Sequence, residues 1–203
     1  MSPLPLNAAR LVVAGTAVAA ITYQFAILNA APGYAKGNFW SFFTIHSNMV
    51  AIAALGLLVL VPPDRRTPLF DAVRGAAVLY IAITGVVFAL LLSGHQEQVQ
   101  TASPWVDFVV HKLMPILVVA DWLVEPPRHR LPRWTVAAWL VYPLAWFVYT
   151  LARGAIVDWY PYPFVDVSEL GYPAVLARAV ALVVGFGLGA ASLLWIGNRR
   201  SRR

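Results

Sequence analysis

Six stretches of this chain, roughly residues 6–31, 39–61, 69–93, 104–124, 132–153 and 172–197, are almost wholly apolar, and each is long enough to cross a hydrocarbon layer of about 30 Å. That repetition limits the fold more than any motif does. A 203-residue chain that is 60% hydrophobic and 12% charged has more apolar side chains than one water-soluble core can hide. Backbone groups in lipid must be paired within the segment that carries them, so the stretches are expected to be helices. The alternating ten-residue strands of a β-barrel are missing. Between the stretches lie turn-forming segments such as "APGYAKGN", "PPDRRTP", "SGHQEQVQTASP" and "EPPRHRLP", and Pro68, Pro104, Pro132 and Pro173 fit helix starts. Residues 6–31 are too long for a cleavable signal and are read as the first span. Residues 1–203 therefore read as a single all-α domain, a bundle of six transmembrane helices.

The charge pattern orients the bundle. Eleven of the fifteen basic residues lie at one set of ends: Arg10, Arg65, Arg66, Arg74, Arg128, Arg130, Arg133, Arg199, Arg200, Arg202 and Arg203. The other ends carry Lys36 and Arg153 with most of the acids: Glu97, Asp107, Asp158, Asp166 and Glu169. Basic loops stay inside, so both termini are expected in the cytoplasm of a cell whose plasma (inner) membrane holds the protein. The net charge of +6 is thus a topology signal, and no nucleic-acid partner is implied. With no cysteine there is no disulfide, no thiolate metal site and no cysteine nucleophile. No metal or cofactor is expected.

Against this apolar background, polar side chains gather at one depth. At 1.5 Å per residue, Thr44 lies roughly 7 Å below the outer end of its span, Arg178 roughly 9 Å, His111 and Gln24 roughly 10 Å, and Thr84 roughly 13 Å. Ionisable groups at such depths usually face the bundle interior or a wet cavity. Thr44, Ser47 and Asn48 share one helix face at i, i+3 and i+4, while His46 points elsewhere. Asp107 and His111 are one turn apart on the fourth span. Pro115 is expected to kink that span and to free a carbonyl. Lys112 lies beside His111 at a similar depth. A cavity open to the outer surface follows from this layer. Plainer roles are available to the same residues: Ser and Thr as interhelical glue, Lys112 as a snorkelling cation, Asp107 as a solvated acid, and Asp121 as a helix-end partner. His46, His95 and His129 read as interfacial or loop histidines, and "GFGLGAAS" as close helix packing.

"FFTIHSN" opening the second span, "HKLMP" in the fourth and "YPYPF" before the sixth resemble the androgen-induced membrane protein family, most closely its bacterial six-span relatives. The resemblance implies an intramembrane threonine hydrolase that cleaves fatty-acid esters of hydroxy fatty acids, with Thr44 as nucleophile and His111 as its partner. The residues allow that chemistry. A threonine hydroxyl needs a base within reach, imidazole is the usual base near neutrality, and Asp107 can fix the ring tautomer. Asn48, Lys112 or Arg178 is available for the oxyanion, or for a carboxylate on a lipid-like acyl ester drawn from the membrane. Two other readings fit the same polar layer: a binding or transport protein, and a haem-binding electron carrier using His46 and His111.

Overall fold

The computed structural model describes residues 3–94 and 103–201, and within them every regular element is helical. Helix α1 runs Pro3–Ala30, the short α2 Lys36–Phe39 and α3 Phe43–Leu60. Helix α4, Pro68–Val87, continues as a π-helical turn over Phe88–Leu92. Then come α5, Pro104–Phe108, a second π-helical turn over Val109–Leu113, and α6, Met114–Val124. Helix α7 covers Thr135–Val157 and α8 covers Val167–Arg200. Among the described residues five helices are long and apolar enough to cross a membrane: Leu4–Ala30, Phe43–Leu60, Pro68–Leu92, Thr135–Val157 and Val167–Arg200. The stretch expected as a fourth span, 104–124, is helical from end to end. It is assembled from α5, the π turn and α6, none of which reaches spanning length alone. His95, Glu97, Arg202 and Arg203 lie outside the described residues.

Local chemistry sets the helix ends. Pro68 and Pro104 open α4 and α5, and the Thr67 hydroxyl accepts the Phe70 amide at 3.2 Å. Gly171 takes φ 71°, ψ 156° and interrupts α8 two residues before Pro173, so the proline restarts the helix. The second expected span begins at Phe43 instead of residue 39. The reason is local. The Ser41 hydroxyl donates to the Gly37 carbonyl at 2.9 Å, and the Ser41 carbonyl is taken by the Trp146 indole N–H at 3.0 Å. That carbonyl no longer serves Ile45, whose amide goes to Phe42 instead at 3.1 Å.

Packing is inside-out relative to a water-soluble bundle. Helices α3 and α4 are the most buried, whereas α1, α7 and α8 present Val12, Val148, Ile156 and Leu188 outward, each at least 64% exposed. Helix α4 also comes close to α6. A Cβ on Gly85 would stand 2.7 Å from the Pro115 ring, so only glycine lets these helices meet there.

Charge is paired at the end of the bundle remote from Thr44. Arg10 donates to Asp121 at 2.7 Å, Arg74 to the other Asp121 oxygen at 2.9 Å, and Arg66 to Glu125 at 2.6 Å; Arg10 also pairs with Glu125. All three arginines and Asp121 are buried. Removing one partner of such a group strands a charge with no water to replace it, which costs about 3–5 kcal/mol. The cluster therefore locks α1, α4 and α6 in register. Asp71, also buried, accepts the Arg128 and His129 amides and the His129 ring, and so holds the loop before α7. Arg10, Arg66 and Arg74, expected as topology signals, and Asp121, expected as a helix-end partner, form one network with Glu125.

Burial pulls the Glu125 carboxyl upward, but the hydrogen bonds from Arg10 and Arg66 outweigh it and hold the group below its ordinary value of 4.5. A depressed carboxylate contributes stability above that value and loses it as pH falls through the lower, folded one. Glu125→Gln is expected to lower the melting temperature in detergent at pH 7, with the deficit shrinking as pH drops below 4.5. A deficit that does not change with pH would show that Glu125 acts by packing instead.

Candidate active site

Thr44 is the second residue of α3, so its amide has no acceptor within the helix. The N-cap is Phe42, which offers no side-chain oxygen. The missing acceptor comes from the far end of the chain. The Tyr162 hydroxyl takes the Thr44 N–H at 3.1 Å and also faces the Phe43 amide. Tyr162 precedes a short turn at Pro163–Val165 and is held by rings: Phe164 stacks on it at 5.2 Å, and Phe42 meets it edge-on at 5.6 Å. Burial pushes its phenol upward, although the amide contacts pull the other way, so it stays a donor at neutral pH.

The Thr44 hydroxyl lies 3.2 Å from the Tyr162 hydroxyl and 3.3 Å from Nε2 of His111. His111 Nδ1 is 3.0 Å from an Asp107 oxygen. All four residues are buried. With a neutral imidazole and an ionised Asp107, one arrangement of protons serves every contact. Nδ1–H donates to Asp107, which leaves Nε2 bare. Thr44 Oγ1–H donates to Nε2, and Tyr162 O–H donates to Thr44 Oγ1. Phe88 lies flat on the imidazole, with centroids 4.1 Å apart and planes 9° apart, and fixes its rotation.

The π turns explain how His111 reaches Thr44. Met114 N–H bonds to Val109 instead of Val110. The next donor that could serve the Val110 carbonyl in that register is Pro115, which has none. Asn48 repairs the gap: its Nδ2 donates to the Val110 carbonyl at 3.2 Å and to the Thr44 carbonyl at 2.8 Å. This is the freed carbonyl expected from Pro115. Asn48, fully buried, thereby ties the His111 segment to the Thr44 segment.

The other residues of the expected polar layer fall into separate places. Thr84 donates to the Tyr80 carbonyl at 3.0 Å and accepts from the Ser47 hydroxyl at 2.7 Å, which also lies 3.1 Å from the Thr44 carbonyl. These two hydroxyls join α3 to α4, so Ser47 has no base of its own. Gln24 is buried and lines a small pocket beside Thr44, His111 and Tyr162. Lys112 is exposed, its ammonium 5.9 Å from the Phe88 ring. Arg178 is exposed and lines a cavity of about 830 Å³ between α4 and α8 that Thr44 does not reach. It does not share the Thr44 cavity, because the face it occupies on α8 looks toward α4. His46 is elsewhere, as expected: its Nε2 meets the Trp40 carbonyl and its Nδ1 the Tyr142 hydroxyl, both at 2.7 Å. Sequence reasoning missed Tyr162 and Phe88. "YPYPF" was the available signal, since it places a tyrosine between two prolines beside the outer loop, but nothing in it points to α3.

Thr44 and Tyr162 also line an apolar cavity of about 530 Å³ between α3, α4, α7 and α8, walled by residues such as Pro143, Phe147 and Val180. That is within the usual range for a small-molecule site. Among the described residues no group of three or more metal-ligating side chains forms.

Asn48→Leu keeps the side-chain size and leaves the Val110 carbonyl buried without a donor. It is expected to destabilise the folded protein by about 1–3 kcal/mol, read by unfolding in detergent. Unchanged stability would mean that the carbonyl finds another partner. Comparison with protein-family models, with curated proteins and with solved structures finds no match to this chain.

Proposed function

We propose that this chain is a six-span intramembrane hydrolase of fatty-acyl esters, with Thr44 as nucleophile and His111 as general base. One observation carries the reading: the unbroken buried run Asp107–His111–Thr44–Tyr162, whose Thr44 and Tyr162 line a large apolar cavity. The resemblance of "FFTIHSN", "HKLMP" and "YPYPF" to the androgen-induced membrane protein family points the same way. In this reading the 104–124 stretch, fourth in chain order, completes the set of six spans and is broken so that His111 can turn inward. The basic ends face the cytoplasm, and the site lies toward the outer side of the cell membrane.

The chemistry follows from the contacts. An acyl chain occupies the 530 Å³ cavity with its ester carbonyl at Thr44. His111 Nε2 takes the Thr44 proton as Oγ1 bonds to the carbonyl carbon, and Asp107 steadies the imidazolium. Tyr162 supplies the oxyanion donor. Once Oγ1 is bonded to carbon, the tyrosine O–H, oriented by the Thr44 amide, turns to the adjacent oxyanion. Asn48 is committed to two carbonyls, Lys112 lies beyond Phe88, and Arg178 lines the neighbouring cavity, so none of the three is placed for that task. The imidazolium proton then leaves with the alcohol, and water hydrolyses the acyl-threonine.

The catalytic test uses a fluorophosphonate probe and a long-chain chromogenic ester. Thr44→Ala is expected to abolish labelling and turnover, and Thr44→Ser to keep part of both. His111→Ala should cut turnover by roughly 10²–10⁴-fold. Tyr162→Phe should lower kcat by roughly 10²–10³-fold with little change in KM. Folded Thr44→Ala that hydrolyses like the parent would replace this reading with the ligand-binding one. For orientation, a cysteine at Ser168 should react with an impermeant thiol reagent on intact cells, and one at His129 only after lysis. Labelling of position 129 on intact cells would invert the topology.

A further inference from the structure

Thr44 and Tyr162 stand between two spaces of very different size. On one side is the apolar cavity of about 530 Å³. On the other is a small pocket of about 30 Å³ between α1, α3 and the α5–π segment. Both spaces are lined by Thr44 and Tyr162, but only the small one is lined by His111 and Gln24. Size decides what each can hold. About 10–15 Å³ of such space is needed for one water molecule, so the small pocket admits one or two waters and no part of an acyl chain. A water there needs two to four polar partners, and the walls supply Gln24, Thr44, His111 and Tyr162. The remaining wall is apolar (Ile21, Val106 and Val110 among others), which keeps the number of waters low.

We propose that this pocket holds the water that completes the reaction, with Gln24 as its positioning residue. The inference rests on the hydrolase reading above and adds the path of the second half-reaction. In the acyl-enzyme, Thr44 Oγ1 has lost its proton, so His111 Nε2 faces the pocket with a free lone pair. A water held between Gln24 and His111 gives one proton to Nε2 while its oxygen bonds to the acyl carbon. The tetrahedral centre then expels Oγ1, which recovers that proton from Nε2. The products are the free carboxylic acid and the original Thr44 hydroxyl; no other reactant is needed. The acyl chain enters from the large cavity and the water waits on the opposite side of Thr44, so neither has to pass the other.

The two half-reactions can be separated in one experiment on the full-length protein in detergent, with a long-chain p-nitrophenyl ester as probe. Gln24→Leu removes the amide at nearly constant size. Ile21→Phe fills the pocket from α1 without altering Thr44, His111 or Tyr162. For both variants the expected result is a first-turnover burst of about one nitrophenolate per protein, at a rate within about threefold of the parent. Steady-state turnover should fall at least about tenfold, and the acyl adduct should accumulate on the peptide that contains Thr44, read by mass. A merely structural role for Gln24 would slow burst and steady state together, and that parallel loss overturns the proposal; so do variants that turn over like the parent. If one variant fails to fold, the other decides. A map of the phosphonate-inhibited parent with the pocket dry, or filled by the probe's alkyl chain, overturns it independently. If the parent itself neither hydrolyses the ester nor forms a Thr44 adduct, the hydrolase reading falls first, and that outcome is distinct from every one above.

Discussion

A proline withholds one N–H from a helix in a bundle where no water stands by to replace it, and the arrangement around His111 depends on how that loss is repaired. Pro115 leaves the Val110 carbonyl without a main-chain donor because the preceding turn has already slipped into π register. The slip turns His111 toward Thr44 and under the flat face of Phe88. Asn48 closes the open carbonyl and, with its second N–H, grips the carbonyl of Thr44 itself. Gly85 lets α4 press against the proline ring, which keeps the defect from opening further. Each of these residues has an ordinary packing or hydrogen-bonding reason to be where it is. Together they bring a histidine and a threonine from different helices to 3.3 Å.

The opposite end of the bundle solves a different problem with charge. Arg10 of α1, Arg66 of the α3–α4 connection and Arg74 of α4 meet Asp121 of α6 and Glu125 just beyond it. Buried ion pairs add little net stability over an apolar core, but they penalise any register that separates them. Fixing one end by charge leaves the other end free to carry broken helices, a displaced N-terminus on α3 and open cavities. Those features would weaken a bundle that relied on uniform packing along its length.

The apolar blocks and the i, i+4 pair Asp107–His111 are local patterns, so the helices and that pair were legible in the sequence. Thr44 and Asn48 were legible as a face, and Pro115 as a source of a free carbonyl. What pairs with that carbonyl is tertiary, and only the packing of α3 against the π segment reveals Asn48. The start of α3 was misjudged because Ser41 loses its carbonyl to Trp146, a residue 105 positions away. Tyr162 was invisible for the same kind of reason: its acceptor role depends on an amide left bare at the start of α3. Arg178 matched the expected depth, but depth carries no angle. The face that an isolated helix turns to its neighbours is set by the neighbours, and here it looks into the adjoining cavity.

The hydroxyl that completes the start of α3 comes from a loop 118 residues farther along. During synthesis Thr44 and His111 enter the membrane long before Tyr162 leaves the ribosome. At about 5–20 residues per second, the interval from His111 to Tyr162 alone lasts several seconds. Throughout that interval the nascent chain lacks the tyrosine that caps α3 and meets Thr44 Oγ1. Its surroundings are complete only when the last loop folds back. A chain stopped short of that loop keeps its membrane anchors without a finished site, so maturation is timed by the order of the sequence itself.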